Sequence, residues 1–342
     1  MAGSDDDIVG PTNPEDYIEV YECDEYEVQG YIVPVDGKVR PNIPVQIKGG
    51  NNIYSSTNTN NNGYFSTSFY FPGSGTYTPQ VVCGRISEYV TGSYNTYISV
   101  LSCSMNLTST KDILSYADSD TTTITAALIC DDDNTAILSN REITFNVRKQ
   151  SDSSIIQTII KTTDATGETS FEYESQGIGD IYIEALCGPS VSKTFALRDA
   201  LYYDGSTHTT TELNIPMSTV PTNFKLEYKM KLTGSTGTVN IGSNSSYIIM
   251  GAITPKYTGS TDFYMCIKLG NNTAQCSSQI LPKNQWITVY CTYDGSKYTI
   301  QYDNNPKYEV TSSYTTGRSV MQIGCGSSTY PTSIKDIIFE PL

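Results

Sequence analysis

Few residues of this sequence are of the types that carry out chemistry, and their spacing argues against catalysis. The 342 residues include one histidine, His208, so a metal site built from several histidines is excluded and histidine-based catalysis is disfavoured. His208 lies in a threonine-rich turn, where it is expected to be solvated or to contact a ligand. No Gly-x-Ser-x-Gly motif supports serine hydrolysis. The acids of the last third, such as Glu227, Asp262 and Asp336, are isolated and do not form the carboxylate pair of a glycosidase.

Nine cysteines could form disulfides or bind a metal. They lack Cys-x-x-Cys spacing, and their odd number argues against a complete disulfide framework. Cys130 and Cys187 have a spacing that inter-sheet disulfides of β-sandwiches can have. Pro34 takes the place of Cys130 in the repeat described below, so the fold does not need that bond. We therefore expect buried, reduced thiols.

A second potential metal site is the acidic run Asp131-Asp-Asp-Asn134. Clustered carboxylate oxygens can bind calcium. The equivalent run Val35-Asp-Gly-Lys38 lacks the cluster, which favours a solvated turn. Calcium is kept as an alternative, and the prediction is that the protein has no cofactor.

The composition predicts an all-β protein. Tyrosine is very frequent, with 27 residues, and serine, threonine and asparagine separate the apolar residues. Tyrosine and β-branched residues favour half-buried pleated surfaces, and apolar residues alternate with a period of two. The strands formed in this way must position any binding residues.

The charge of the chain restricts its partners. With 36 acids and 21 bases, the formal net charge is −15. An acidic chain without a basic patch is a poor nucleic-acid binder, and the absence of an apolar run of about 18 residues argues against membrane insertion. Residues 199–342 carry as many bases as acids, whereas the rest is acidic. We therefore expect this last part to be a separate domain with a separate task.

The first 16 residues are predicted to be a flexible acidic leader that attaches to a partner. Asp5, Asp6 and Asp7 repel one another, and Pro11 and Pro14 oppose regular structure. No apolar segment typical of a secretory signal follows the N-terminal methionine. The sequence is expected to be a complete product made in the cytosol.

Residues 17–198 contain an internal repeat that predicts two copies of one β-sandwich, at 17–100 and 101–198. In each copy, a polar turn ending in glycine would join two strands, because glycine accepts a positive φ. Upstream, residues 28–38 align with 124–134, and 42–47 align with 140–145. The matches at one common offset are Thr59–Gly63 with Thr163–Gly167, Gly73 and Gly75 with Gly177 and Gly179, and Cys83-Gly84 with Cys187-Gly188.

The second copy resembles the bacterial immunoglobulin-like domains of the invasin and intimin type. The first copy resembles the same group, or the related carboxypeptidase-regulatory-like sandwich, through Pro41–Val45 and Asn62–Phe65. This resemblance implies spacer domains of the kind found in adhesins and phage fibres. The segments of the second copy that carry it are Ile124–Leu128, Asn140–Ile143, Thr163–Gly167 and Gly179–Ala185.

Residues 199–342 follow a different pattern, with roughly twelve predicted strands that suit a jelly roll. Alternate apolar residues from Phe224 to Leu232 predict one strand. Trp286–Tyr293 predicts another, which runs into the Asp294-Gly295 turn and returns as Lys297–Tyr302. Ser333–Phe339 is the expected last strand.

Through Trp286, Asp294-Gly295, Tyr298 and Ile334–Ile337, this part is similar to laminin-G-like, concanavalin-A-like jelly rolls. We interpret these residues as structural. The resemblance implies lectin-like binding of a glycan or a protein. Glycanases of this group carry an E-x-D-x-x-E strand, which residues 199–342 lack, so an enzyme would need a carboxylate pair assembled across strands.

If every strand crosses the sandwich once, alternate loops meet at the end that lies away from the spacer domains. Aromatic faces stack on sugars, and amide and carboxylate groups bind hydroxyls, so this end is the predicted ligand site. A sheet face is the rival location. The candidate residues are Asp204, His208, Lys256, Tyr257, Asn304, Asn305 and Tyr330.

Together these features predict a non-enzymatic receptor-binding protein in the tail or fibre of a phage or archaeal virus. Its C-terminal jelly roll would bind a host cell-surface glycan or glycoprotein, and its N-terminal segment would contact other virion proteins. It could form homo-oligomers, although no heptad repeat enforces this. A cellular adhesin of an archaeon or bacterium and a glycan-degrading enzyme are the alternatives.

Overall fold

The computed structural model contains three hydrophobic cores formed by β-strands. We refer to the parts of the chain around them as the N-terminal unit (β1–β8), the middle unit (β9–β16) and the C-terminal unit (β17–β30). Within the described part of the chain, no helix is long and apolar enough to cross a membrane. The structure describes residues 18–32, 38–39, 41–83, 97–209, 212–216, 223–232, 237–243, 246–253, 262–269, 273–312, 320–324, 326–327 and 330–342.

The N-terminal unit consists of three small sheets, with strand orders β1-β8-β6, β2-β5 and β4-β3-β7. Aromatic rings fill its core, where Phe69, Phe71 and Tyr54 pack within 5.1–5.7 Å of one another between centroids. Its strands are β1 Ile18–Tyr21, β2 Tyr26–Tyr31, β3 Pro44–Gly49, β4 Asn52–Asn58, β5 Tyr64–Phe69, β6 Gly75–Tyr77, β7 Gln80–Cys83 and β8 Ile98–Leu101.

The middle unit is a sandwich of a five-stranded sheet, β10-β16-β15-β12-β13, and a three-stranded sheet, β14-β11-β9. Phe145 from the first sheet and Phe171 from the second meet with ring centroids 4.9 Å apart. A 3-10 turn, Tyr116–Asp118, follows β10. The strands are β9 Cys103–Ser109, β10 Ile113–Ser115, β11 Thr121–Cys130, β12 Glu142–Lys149, β13 Ile155–Thr162, β14 Glu168–Glu174, β15 Gly179–Cys187 and β16 Val191–Ala200.

The strand pairing of the middle unit repeats that of the N-terminal unit. β2 pairs with β5 as β11 pairs with β14, and β3 pairs with β4 as β12 pairs with β13. Each unit also has one parallel pair, β1 with β8 and β10 with β16. The sequence repeat therefore corresponds to a repeat of topology, and both copies have immunoglobulin-like sandwich pairing.

The repeated threonine turn has the same hydrogen bonds in both copies. The buried hydroxyl of Thr59 accepts the N–H of Ile43 at 3.0 Å, and that of Thr163 accepts the N–H of Arg141 at 2.9 Å. Gly63 and Gly167 close the turns with φ of 74° and 81°. These angles confirm the predicted reason for glycine at both positions.

The C-terminal unit packs two sheets face to face as a jelly roll. The front sheet has the order β17-β30-β20-β25-β26-β27, with β18 and β29 also paired to β30, and the back sheet has the order β19-β28-β21-β22-β23-β24. Its fourteen described strands compare with roughly twelve predicted. They are β17 Tyr202–Asp204, β18 His208–Thr209, β19 Glu212–Pro216, β20 Phe224–Leu232, β21 Gly237–Ser243, β22 Ser246–Ile253, β23 Tyr264–Leu269, β24 Gln275–Ile280, β25 Trp286–Tyr293, β26 Lys297–Tyr302, β27 Tyr308–Thr311, β28 Val320–Gly324, β29 Gly326–Ser327 and β30 Tyr330–Pro341.

Alternation of buried and partly covered residues along the strands forms the core of this unit. Every second residue of β20, from Phe224 to Leu232, is buried, while the lysines and the glutamate between them are only partly covered. Because alternate residues of a strand point to opposite faces, one face of the front sheet lies on the core and the other faces outward.

The prediction that all cysteines are reduced is wrong at one pair. Cys266 and Cys276 form a disulfide across the neighbouring strands β23 and β24. Cys325 lies outside the described residues. The remaining cysteines are free, including the pair considered from the sequence: Cys23, Cys83, Cys103, Cys130, Cys187 and Cys291.

Candidate functional site

Asp204 and His208, two of the predicted ligand residues, contact each other directly. Nε2 of His208 lies 2.8 Å from Oδ2 of Asp204. The other carboxylate oxygen accepts the N–H of Ser206 at 2.7 Å, and the hydroxyl of Tyr202 donates to Oδ2 at 3.2 Å. Both side chains are half-buried. The interpretation of His208 as a solvated turn residue is therefore wrong.

The surroundings of Asp204 favour its charged form. Burial raises the pKa of this carboxyl, but hydrogen bonds from Ser206 and His208 outweigh that effect and bring its pKa below the usual range. His208 lies opposite the fully buried Ile334 in the pairing of β18 with β30. Directly opposed residues share a sheet face, so His208 occupies the inner face at the edge of the sandwich.

Asn304 and Asn305 lie in the turn after β26, which reaches back to the start of β25. The N–H of Asp303 donates to the carbonyl of Thr288 at 2.8 Å. Nδ2 of Asn305 donates to the carbonyl of Tyr302 at 3.2 Å, so this side chain supports its own turn, whereas Asn304 is exposed.

The structure brings together only part of the predicted set. Asp204 and His208 form one pair, and Asn304 and Asn305 lie at the same end of the front sheet. Tyr330 is the first residue of β30. Lys256 and Tyr257 lie outside the described residues. The role of all seven residues in ligand binding stays a prediction.

An exposed tryptophan that is not among the predicted ligand residues lies at this end of the front sheet. Trp286, the only tryptophan of the chain, is the first residue of β25, and 39% of its surface is exposed. Tyr290, four residues along the same strand, is also exposed on the outer face. At a rise of about 3.4 Å per residue, the Cα atoms of the two residues are roughly 14 Å apart.

Lysines surround the tryptophan. Nζ of Lys335 lies 4.9 Å from the centroid of the Trp286 ring, and Lys231 is its direct neighbour across the strand pair. Lys229 forms an ion pair with Asp336 at 2.9 Å. Trp286, Tyr290, Lys231 and Lys335 are from here on called the outer-face patch. It combines flat apolar rings with cationic donors on a chain that is acidic as a whole.

A sequence signal for the outward tryptophan exists. In β25, Ile287, Val289, Cys291 and Tyr293 form one alternating set, and Trp286, Thr288, Tyr290 and Thr292 form the other. The first set has the more apolar composition, so it predicts the core face and leaves the tryptophan outside. The burial pattern of the strand follows this division.

The carboxylates of the acidic run in the middle unit accept hydrogen bonds from neighbouring residues. Asp131 accepts from the hydroxyl of Ser104 at 2.7 Å, Asp132 accepts the N–H of Ser102 at 2.7 Å, and Asp133 accepts from Thr135. No group of three or more metal-ligating side chains is found among the described residues.

Comparison with known proteins identifies no family for this chain. No protein-family model and no curated protein matches the sequence. Similar solved structures include congerin II with lactose and MES (11% identity, TM-score 0.29, 40% of this chain and 100% of congerin II) and the D0–D1 domain of intimin (17% identity, TM-score 0.23, 54% and 95%). A third is a glycosyl hydrolase family protein from Mycobacterium fortuitum (10% identity, TM-score 0.29, 57% and 91%). Because these TM-scores are low, function must follow from the geometry of this chain.

Proposed function

We propose that the protein is a non-enzymatic attachment protein whose C-terminal unit binds a cell-surface glycan on its outer-face patch. The observation that carries this proposal is the exposed ring of Trp286 beside Lys335. A large aromatic ring left in water on a sheet face offers a surface on which the apolar C–H face of a sugar can stack.

The neighbouring groups would fix the orientation of the sugar. Lys335 and Lys231 donate hydrogen bonds to hydroxyl groups and attract carboxylate or sulfate groups, so an acidic sugar gains most from this surface. Tyr290 offers a second ring for a later residue of the same glycan chain. Asn304, which is exposed at the same end of the sheet, would extend the contact.

The position of the patch suits attachment. The end of the front sheet that carries Trp286 is opposite to the end where Phe224 pairs with Pro341. That opposite end contacts the middle unit, where Arg198 binds Glu340. The two preceding sandwiches would therefore leave Trp286 accessible, whereas Tyr290 lies nearer to the middle unit, in a cleft that Asp180 and Arg198 also line.

We further propose that the chain acts on the surface of a virion, as a tail or fibre protein that binds a host receptor. A bacterial or archaeal adhesin would use the same site chemistry from a cell surface. Antibody labelling of purified virions and of intact producing cells distinguishes the two locations. Label confined to cells would contradict the virion assignment without affecting the glycan site.

Binding of the full chain to immobilised neutral and acidic oligosaccharides tests the glycan site. Trp286→Ala is expected to weaken binding about tenfold or more, since aromatic stacking contributes on the order of 1 kcal/mol beyond buried area. Trp286→Phe should retain part of the affinity. Ile280→Ala removes an exposed apolar side chain from the back sheet and serves as the matched control.

Three results would contradict the proposal. The first is no saturable binding by the folded wild-type chain to any member of the panel. The second is equal loss for Trp286→Ala and Ile280→Ala, which would place the site elsewhere. The third is release of new reducing ends from a bound glycan, which would indicate the degrading enzyme instead of a binding protein.

A further inference from the structure

A cleft of about 360 Å³ lies between the middle unit and the outer face of the front sheet. Tyr290 lines it from β25, and 41% of the surface of this residue is exposed. Glu227 is directly opposite Tyr290 in the pairing of β20 with β25, and directly opposed residues share a sheet face. From the middle unit, Asp180 and Arg198 line the same cleft. Two units therefore form this space together.

The cations of the cleft are already paired with carboxylates. Arg198 donates to Glu340 at 2.9 and 2.7 Å and to Glu227 at 3.0 Å. Nζ of Lys225 lies 2.7 Å from Oδ2 of Asp180 and 3.3 Å from the carboxylate of Glu340. An anion that entered the cleft would have to compete with these carboxylates, so the cleft does not favour an acidic ligand.

Hydrogen-bond acceptors and hydroxyl groups of the cleft are still open. Oδ1 of Asp180 lies 3.6 Å from Nε of Arg198, which is too far for a hydrogen bond. Among the described contacts, Glu227 accepts a hydrogen bond only through Oε2, and the hydroxyls of Tyr290 and Thr292 have no partner. Two carboxylate oxygens and two hydroxyls are thus left for a ligand that carries hydroxyl groups, such as a sugar.

The cleft continues the row of outward side chains that begins at Trp286. Along β25, Thr288, Tyr290 and Thr292 follow Trp286 on the same face. The Cα atoms of the two aromatic residues are roughly 14 Å apart, a distance that a single sugar ring does not span. One ligand can therefore reach both rings only if it is an oligosaccharide.

We propose that the cleft is a second glycan subsite, which takes a neutral sugar residue of a chain whose acidic residue lies on Trp286. This inference rests on the glycan-binding function proposed above and specifies the order of residues in the ligand. At the Trp286 end, Lys335 and Lys231 attract a carboxylate or sulfate group. In the cleft, the open carboxylate oxygens of Asp180 and Glu227 repel such a group and accept sugar hydroxyls. The middle unit thus contributes directly to binding.

Hydroxyl-radical footprinting of the full wild-type chain tests the subsite. The probes are glycans that begin with one sialic acid or one glucuronic acid and continue with an increasing number of neutral hexoses. Oxidation of Trp286 and Tyr290 is measured by mass spectrometry of peptide fragments. The acidic monosaccharides are expected to protect Trp286 alone, whereas the longer probes are expected to protect Tyr290 as well.

Titration of two variants measures what the cleft contributes to affinity. Tyr290→Ala should lower the ratio of the affinities for the longest and the shortest probe about fivefold or more, because a stacking ring is lost. Asp180→Ala should lower the same ratio, because it removes the open acceptor that the middle unit supplies. Tyr31→Ala removes an exposed tyrosine from the N-terminal unit and, as the matched control, should keep the ratio.

The footprint of the wild type separates failure of the subsite from failure of the proposed function. Long probes that protect Trp286 but leave the oxidation of Tyr290 unchanged would overturn the subsite and leave the glycan site in place. Protection of Tyr290 by an acidic monosaccharide would overturn the assigned order of residues. No protection of Trp286 by any probe would contradict both proposals. Because all three outcomes are read on the wild type, they do not depend on the folding of a variant.

Discussion

At the scale of single residues, Asp204 shows how a half-buried carboxylate is kept charged. It accepts hydrogen bonds from Ser206, His208 and Tyr202, and each of these donors lies within four residues of it in sequence. This local network occupies the edge of the front sheet. It fixes His208 on the inner face, so the pair can support a ligand site without itself being fully accessible.

The lowered pKa of Asp204 predicts a pH dependence of stability. Its pKa in the folded protein lies below the unfolded value of about 3.9, so its contribution is fully present above that pH and is lost as the pH falls through the folded pKa. Asp204→Asn should therefore cost about 2 kcal/mol near neutral pH, since it weakens hydrogen bonds to a charged group. It should also flatten the acid side of the stability curve.

Thermal unfolding between about pH 2 and pH 7 measures both effects. Asp112→Asn, which changes an exposed carboxylate of the middle unit, is the control. A wild-type and an Asp204→Asn curve that run parallel down to the lowest pH would show that Asp204 is not the source of this acid sensitivity.

At the scale of elements, the repeated turn allows one substitution to be compared in two copies. Gly167 has a φ of 81°, and an added Cβ would meet no atom closer than 3.5 Å. Gly63 has a similar φ, but its Cβ would lie 3.0 Å from the carbonyl oxygen of Ile32. Gly167→Ala should cost about 1–2 kcal/mol from backbone strain alone. Gly63→Ala should cost more because a clash is added.

Denaturant unfolding of the two variants gives this comparison. Gly167→Asn should lose less stability than Gly167→Ala, because asparagine tolerates the left-handed conformation. Equal losses for Gly63→Ala and Gly167→Ala would contradict the role assigned to Ile32.

The elements that could be predicted from sequence are those set by local chemistry. The threonine turns, the Asp294-Gly295 hairpin and the alternation of β20 depend on neighbouring residues, and the structure contains all of them. The Cys266–Cys276 disulfide depends on register across β23 and β24, which shifts at an irregularity between Tyr264 and Cys266. Nothing local to either cysteine determines that shift.

The candidate site could likewise be predicted from the sequence only where local chemistry determines it. Loop alternation placed Asp204, His208, Asn304 and Asn305 at one end of the sheet, because the direction of successive strands follows from the hairpins. The direct bond between Asp204 and His208 depends on side-chain orientation at a sheet edge. Trp286 was interpreted as structural through the jelly-roll resemblance, although the threonines of the same alternating set indicated the outer face.

At the scale of the whole molecule, a partly buried ion network centred on Glu340 joins the middle and C-terminal units. Glu340 is fully buried and accepts two hydrogen bonds from Arg198, at 2.9 and 2.7 Å. Arg198 also bonds to Glu227 at 3.0 Å, and Lys225 bonds to Asp180 at 2.7 Å. Positive and negative side chains of the two units pair with each other. The contact surface of each unit therefore depends on the presence of the other unit.

Arg198→Met would leave the buried Glu340 with Lys225 as its remaining cation, at 3.3 Å. Breaking a buried pair from one side costs about 3–5 kcal/mol when the remaining charge has no partner, so a smaller loss is expected here because Lys225 still compensates part of the charge. Calorimetry of the full chain should show a lower unfolding temperature for the C-terminal unit and weaker coupling to the middle unit. Lys297→Met removes the partner of Glu309 in an exposed pair and should cost less than about 1 kcal/mol.

A second substitution, Glu340→Gln, separates the effect of the charge on stability from the effect of packing. In the Arg198→Met background it removes a buried charge that only Lys225 then balances, so the double variant should recover part of the lost stability, whereas Glu340→Gln alone should destabilise the wild type. Because the two residues belong to different units, recovery would also show that the ion network couples the unfolding of the two units. If Glu340→Gln lowered stability equally in both backgrounds, the network would not be the link between the two units.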